Sequence, residues 1–111
     1  MLYFYWWLTL SIKKLLDITK ASIKNGTYDM VPTTKNRNSR RKYGLTLYDI
    51  EEMLLTLDIN DLVKGPTTDR DYPNEELFIF KKQIKPNITF YIKLKEKNTQ
   101  IKILSFHEDE R

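Results

Sequence analysis

Two runs near the C-terminus, FYIKLKEK (Phe90 to Lys97) and IKILSFHEDE (Ile101 to Glu110), alternate apolar and polar residues. A period of two is the mark of half-buried antiparallel strands. Only a short polar link, Lys97-Asn98-Thr99, separates them, so the runs are expected to pair as a hairpin. In the first run Phe90, Ile92 and Leu94 share one face, and Tyr91, Lys93 and Lys95 the other. In the second, Leu104 and Phe106 share one face, and Ile103, Ser105 and His107 the other. One surface would then carry a phenol, ammonium groups and an imidazole.

Everything before the hairpin has to supply a cover for its apolar face. From Ser11 the spacing turns helical, with Ile12, Leu15, Leu16, Thr19 and Ile23 on one side at intervals of three and four. Gly26 follows where a left-handed C-cap is expected. Tyr28 to Val31 reads as a short extended piece, because Pro32 drives Val31 out of the helical region. A second helix should begin at Thr46, a hydroxyl N-cap with Asp49 three residues on, and bury Leu47, Ile50, Leu54 and Leu57. Asn60 to Asn74 carries Gly65, Pro66 and Pro73 and is expected to be a long link. Glu76 to Ile84 is a further strand, turned back into the hairpin by Lys85-Pro86-Asn87. Helices first and antiparallel strands last predict an α+β fold, with helices on one face of a small antiparallel sheet. The free face should be basic, since Lys81, Lys93, Lys95 and Lys102 fall on its strands.

At 111 residues the chain is expected to form one domain, residues 1–111, with a single core. It contains no Cys, which removes disulfide frameworks, thiolate metal sites and cysteine nucleophiles together. With 1 His a histidine-rich metal site is excluded too, and no cofactor or metal is expected. The net charge of +4 favours an anionic partner. Met1 to Ile12 is apolar and aromatic, with residues 1–11 standing as an N-terminal extension. Lys13 and Lys14 interrupt it well short of the about 20 apolar residues that a bilayer span needs, so no membrane span is expected. A membrane-surface anchor through Trp6 and Trp7 stays open beside simple packing on the domain.

The candidate chemistry is scattered along this frame. Thr33 to Lys42 holds Lys35, Arg37, Arg40, Arg41 and Lys42 without an acid. It reads either as a solvated loop or short helix, or as a segment that contacts phosphates, which Lys and Arg neutralise without regard to base sequence. The link adds Lys64 and the triplet Asp69-Arg70-Asp71, a salt-bridged brace in preference to a metal site. There is no glycine-rich phosphate loop and no nucleophile elbow.

The series YGLTLYDIEEMLLTLDINDLVKGPTTDRD (Tyr43 to Asp71), then YIKLK (Tyr91 to Lys95), then SFHE (Ser105 to Glu108) resembles the MqsR family of bacterial toxins. The similarity runs from about Ile12 almost to the C-terminus and leaves the apolar N-terminal segment outside. It implies a RelE-like fold, ribosome-independent cleavage of single-stranded mRNA and a cytoplasmic place in a type II toxin–antitoxin system. It also implies neutralisation by a cognate antitoxin, typically with a zinc-binding module and a helix-turn-helix or other DNA-binding domain. Position by position, the family's active-site lysine after the second long helix falls on Lys64. Its strand tyrosine falls on Tyr91, followed by Lys93, and the basic residue after the SF pair falls on His107. The family's glutamine in the first sheet strand has no counterpart, since Phe78 to Phe80 is apolar.

The residues and the resemblance point to one chemistry. Metal-free RNA cleavage activates a ribose 2′-OH, stabilises extra charge on a pentacoordinate phosphorane and protonates the departing 5′-oxygen. Ammonium groups serve the charge, and an imidazole serves the proton. The expected roles are His107 as general acid or base, Lys64 and Lys93 as phosphate stabilisers, and Tyr91 as positioner or proton relay. RNA-binding positions are expected at Lys35, Arg37, Arg40, Arg41 and Lys95. The alternative is a non-catalytic RNA- or protein-binding domain of the same fold.

Overall fold

The expected hairpin forms the middle of a larger sheet. A computed structural model of the chain describes residues 2–110, and side chains from residue 11 onward. The elements run α1 (Leu2–Asn25), β1 (Asp29–Met30), α2 (Thr34–Lys42), α3 (Leu47–Leu55), a 3-10 turn (Ile59–Asp61), β2 (Leu62–Thr68), β3 (Glu76–Lys85), β4 (Ile88–Lys97) and β5 (Gln100–Glu108). The sheet order is β1-β5-β4-β3-β2. All neighbours are antiparallel except β1, which lies parallel to β5. The α+β class is as the sequence predicts.

The helical stripe of α1 meets the sheet as its spacing requires, with Ile12, Leu15, Leu16, Thr19 and Ile23 all buried. Gly26 closes the helix at φ +67. Its N–H reaches the Ile23 carbonyl, and that of Thr27 reaches Ser22, the paired bonds of a Schellman cap. In α3 the Thr46 hydroxyl and the Asp49 carboxylate cap each other's backbone N–H. Ile50 and Leu54, with Leu57 just beyond the helix, are buried. Leu47, expected in that stripe, is 56% exposed, because the first helical residue lies ahead of the turn that reaches the sheet. The membrane-surface reading of Trp6 and Trp7 falls on side chains outside the described residues. Among the described residues no helix is long and apolar enough to cross a membrane.

In the hairpin, Asn98 and Thr99 both adopt positive φ, 55 and 62, as a two-residue type I′ turn demands. Phe90, Ile92 and Leu94 are fully buried, as expected. The partner strand departs from simple alternation. Lys93 pairs with Ser105 but Leu94 pairs with Ile103, so Leu104 is an extra residue and the pleat changes parity there. Ile103, expected beside Ser105 and His107, is therefore turned into the core with Ile101 and Phe106.

Part of the expected link is also strand. Leu62–Thr68 pairs with β3 through register breaks on either side of Lys64. An edge strand tolerates a proline, and glycine marks its irregularities. Gly65 sits at φ +127, and a Cβ there would lie 2.7 Å from the Leu77 carbonyl oxygen, so the close passage of β2 against β3 requires glycine.

The basic run is a helix, and it docks through polar groups. β1 covers only Lys102 and Ile103 of β5. Further along the same edge, the Phe106 N–H donates to Asn36 Oδ1 at 2.8 Å and the Glu108 N–H to Ser39 Oγ at 2.9 Å. Asn36 Nδ2 in turn donates to the carbonyls of Val31 and Leu104. Two buried side chains thus continue the ladder where the short strand ends, and the edge is closed.

Candidate active site

The free face of the sheet is built from the positions between the core residues of β3, β4 and β5. Tyr91 is the direct cross-strand partner of His107. Their rings stack 5.3 Å apart at 15°. Lys93 and Ser105 form the next pair along. The N-terminal turn of α2 closes the far wall, so that Thr33, Thr34 and Lys35 join Tyr91, Lys93 and His107 around a cleft of about 560 Å³. A helix start carries partial positive charge and unsatisfied N–H groups. With Lys35 and Lys93 it brings positive charge to a cleft that also holds the carboxylates of Asp109 and Glu110.

His107 Nδ1 lies 3.0 Å from the Glu108 carbonyl oxygen. A carbonyl only accepts, so this bond requires the proton on Nδ1 and leaves Nε2 as the nitrogen that exchanges one. Burial, and then the nearby charge of Asp109, push the Tyr91 phenol above its ordinary value. Tyr91 therefore keeps its proton at neutral pH.

Acidic residues tie the cleft together. Lys81 Nζ lies 3.0 Å from Asp109 Oδ2, and Lys35 Nζ lies 3.7 Å from Glu110 Oε2. Glu108 accepts from Lys42 at 2.8 Å and from the Tyr43 hydroxyl at 2.6 Å. The bond to Lys42 comes first among the causes that hold its carboxyl below the usual range. Among the described residues no group of three or more histidine and carboxylate side chains is placed to hold a metal ion.

Lys35, Tyr91, Lys93 and His107 thus share one cleft. Lys64 stands apart. It pairs with Ile79, which pairs with Lys93, so it lies in the same row of the free face but roughly 10 Å away, two strand spacings. Ile79 occupies the place between them, within the apolar stretch Phe78 to Phe80 where the family's glutamine has no counterpart. Arg37 and Arg41 are exposed and Arg40, one turn beyond the buried Asn36, is half-buried, and all three lie outside the cleft lining.

Lys95 corrects the expectation of an open basic face. It is 4% exposed, held by Asp69 at 2.6 Å and Glu75 at 2.9 Å. That oxygen of Glu75 is buried with no other hydrogen-bond partner. Burial lowers the Lys95 ammonium, but its bonds to Asp69 and Glu75 outweigh this and leave it raised. Of the expected Asp69-Arg70-Asp71 brace only Asp69 enters this cluster, where its cation is Lys95 of β4 and the second carboxylate is Glu75. Asp109, within the cleft, went unremarked in the sequence. Its position two residues beyond His107 on an alternating strand was the signal that could have found it.

A small α+β protein with a polar cleft of mixed charge on the free face of its sheet is the class that fold and site define. Residues 12–108 match the family described as "Motility quorum-sensing regulator, toxin of MqsA". The chain belongs to this MqsR toxin family and is the toxin of a toxin–antitoxin system, with a cognate antitoxin as partner. No curated protein matches it.

Proposed function

We propose that the chain is a metal-independent endoribonuclease of RelE-like type. It would act in the cytoplasm as one domain, cleave single-stranded mRNA by attack of the ribose 2′-OH, and be silenced by a zinc-binding or helix-turn-helix antitoxin. The observation that carries this reading is the stacked Tyr91–His107 pair in a cleft shared with Lys93 and Lys35. It brings a proton-exchanging nitrogen beside ammonium groups that can meet the charge of a phosphorane. His107 is the general acid or base, Lys93 stabilises the phosphate from within the cleft, Lys64 does so from the next part of the row, and Tyr91 positions or relays a proton. The carboxylates of Asp109 and Glu110 at the same cleft favour a second reading, a non-catalytic RNA- or protein-binding domain.

One experiment separates them. The purified protein is incubated with single-stranded RNA in excess chelator, and the product ends are analysed. A 2′,3′-cyclic phosphate, or the 3′-phosphate it hydrolyses to, with a free 5′-OH is expected. Ends bearing a 5′-phosphate, or activity that chelator abolishes, sink the mechanism. Intact RNA that is nevertheless bound leaves the second reading standing.

A further inference from the structure

Internal transesterification needs a group to take the 2′-OH proton and another to give a proton to the leaving oxygen, and the chain has one imidazole. The second group must come from the cleft. The Lys35 and Lys93 ammonium groups have no lone pair to accept with, and Tyr91 holds its proton more tightly than a free phenol. For a base other than the imidazole, two carboxylates remain. Glu110 is 68% exposed at its side chain, with Lys35 at 3.7 Å. Asp109 is fixed on both sides: its N–H donates to the Thr89 carbonyl at 2.8 Å, and Lys81 holds its carboxylate at 3.0 Å with 18% of the side chain exposed. That bond to Thr89 carries the β4–β5 pairing beyond Glu108, so Asp109 falls on the His107 face, about 7 Å along the strand.

Resting on the endoribonuclease reading, we propose that Asp109 is the general base of this site and that His107 is therefore its general acid. One Asp109 oxygen takes the 2′-OH proton as O2′ forms its bond to phosphorus. The P–O5′ bond breaks, and the departing O5′ electron pair takes the Nε2 proton of the His107 imidazolium. Asp109 ends protonated and His107 neutral, and exchange with water restores both. Lys81, on β3, positions the carboxylate, and Lys93 faces the phosphorus. Tyr91, on β4, is stacked on the imidazole and within the field of Asp109. A carboxylate is a weak base, but beside an acid working in concert it need carry the proton only in the transition state.

The test uses the full-length protein and two substrates, an RNA oligonucleotide and the same oligonucleotide with sulfur replacing the scissile 5′-oxygen. Thiolate leaves without being protonated, so the second substrate needs a base but no acid. Wild type should give a bell-shaped pH profile of kcat/KM on RNA. Asp109→Asn and Asp109→Ser should each fall about 10²–10⁴-fold and lose the acidic limb, and both are read so that a poorly folded one leaves the other. Asp109→Glu should recover part of the rate. His107→Ala should lose the alkaline limb, and the sulfur substrate should return it to near the wild-type rate while leaving the Asp109 variants slow. Wild-type cleavage together with an unaltered acidic limb in both Asp109 variants overturns the assignment, as does their rescue by sulfur. Wild type that cleaves neither substrate removes the endoribonuclease reading itself, and this assignment with it.

Discussion

Tyr91 and His107 face each other directly across β4 and β5, their rings stacked at 5.3 Å. The pairing fixes the imidazole plane on one side by the phenol, while the Glu108 carbonyl fixes Nδ1. A histidine held on two sides loses little entropy when a substrate arrives, which is what a proton-transfer group requires. His107→Ala should lower kcat/KM on RNA about 10²–10⁴-fold. His107→Lys should keep part of the activity and move the pH optimum upward, since an amine releases its proton at higher pH than an imidazole. Tyr91→Phe keeps the stack and removes the hydroxyl, so about a tenfold loss with an unshifted pH profile is expected. Full activity in His107→Ala, measured by initial rates across pH, would move the proton transfer to another group.

The Lys95 brace makes a stability prediction with a definite sign. The bond from Lys95 comes first among the causes that depress the Asp69 carboxyl. A depressed carboxyl stabilises the fold above its unfolded pKa of about 3.9, and the benefit is lost as pH falls through the lower folded value. Lys95→Met leaves Asp69 and Glu75 facing each other without a cation. Its Tm should fall at pH 7 by on the order of 5 °C or more. The gap from wild type should shrink as pH falls below the unfolded aspartate value of about 3.9 towards the lower folded value of Asp69. A gap of equal size at pH 3 and pH 7 would trace the loss to packing rather than charge.

How much of this was legible depended on whether a residue's neighbours lay near it in sequence. The face of α1, the Thr46 cap and the inward side of β4 follow from spacing alone, and each is where the spacing puts it. Strand β2 was hidden because Gly65 and Pro66 interrupt its alternation, and its pairing depends on register breaks that only the partner strand reveals. The extra residue at Leu104 is equally silent in sequence, and it decides whether Ile103 is inside or outside. The cleft was half legible. Tyr91, Lys93 and His107 follow from strand parity, whereas Lys35 arrives only because Asn36 and Ser39 dock α2 on the edge of β5. Lys95 misled because the carboxylates that bury it come from the turn between β2 and β3.

Gly65 supports Lys64 from the adjacent position. Gly65→Ala sets a Cβ against the Leu77 carbonyl oxygen at 2.7 Å, at φ +127. A side chain in that conformation costs about 1–3 kcal/mol before any clash is counted, so a loss of at least about 2 kcal/mol in urea unfolding is expected. Wild-type stability in this variant would mean that β2 can move off β3 without penalty.

The opposite change should help at the hairpin turn. Thr99 holds φ 62, a conformation that costs a side chain about 1–2 kcal/mol and glycine almost nothing. Asn-Gly is the preferred pair for this turn, so Thr99→Gly should stabilise the protein by about 1 kcal/mol. Its bond from the Thr99 N–H to Glu96 involves only backbone at that position and is retained. Unfolding in urea at unchanged slope measures the gain, and a destabilised variant would show that the threonine side chain contributes more than its backbone costs.

The basic helix separates binding from chemistry. Arg37 and Arg41 are exposed and Arg40 is half-buried, on a helix whose docked face is Asn36 and Ser39. They lie outside the cleft that holds His107. Replacing Arg37, Arg40 and Arg41 by Gln should therefore weaken RNA binding while leaving the turnover of bound RNA within about twofold of wild type. For every phosphate of a single strand that an arginine no longer neutralises, the log–log salt dependence of binding should flatten by about 0.7. The measurement is fluorescence anisotropy with labelled RNA, made in a His107→Ala background so that the probe is not cut. An unchanged slope would make the run a solvated surface whose role ends with docking the helix. A reduced slope with a much lower turnover of bound RNA would instead show that α2 carries groups into the cleft beyond Lys35.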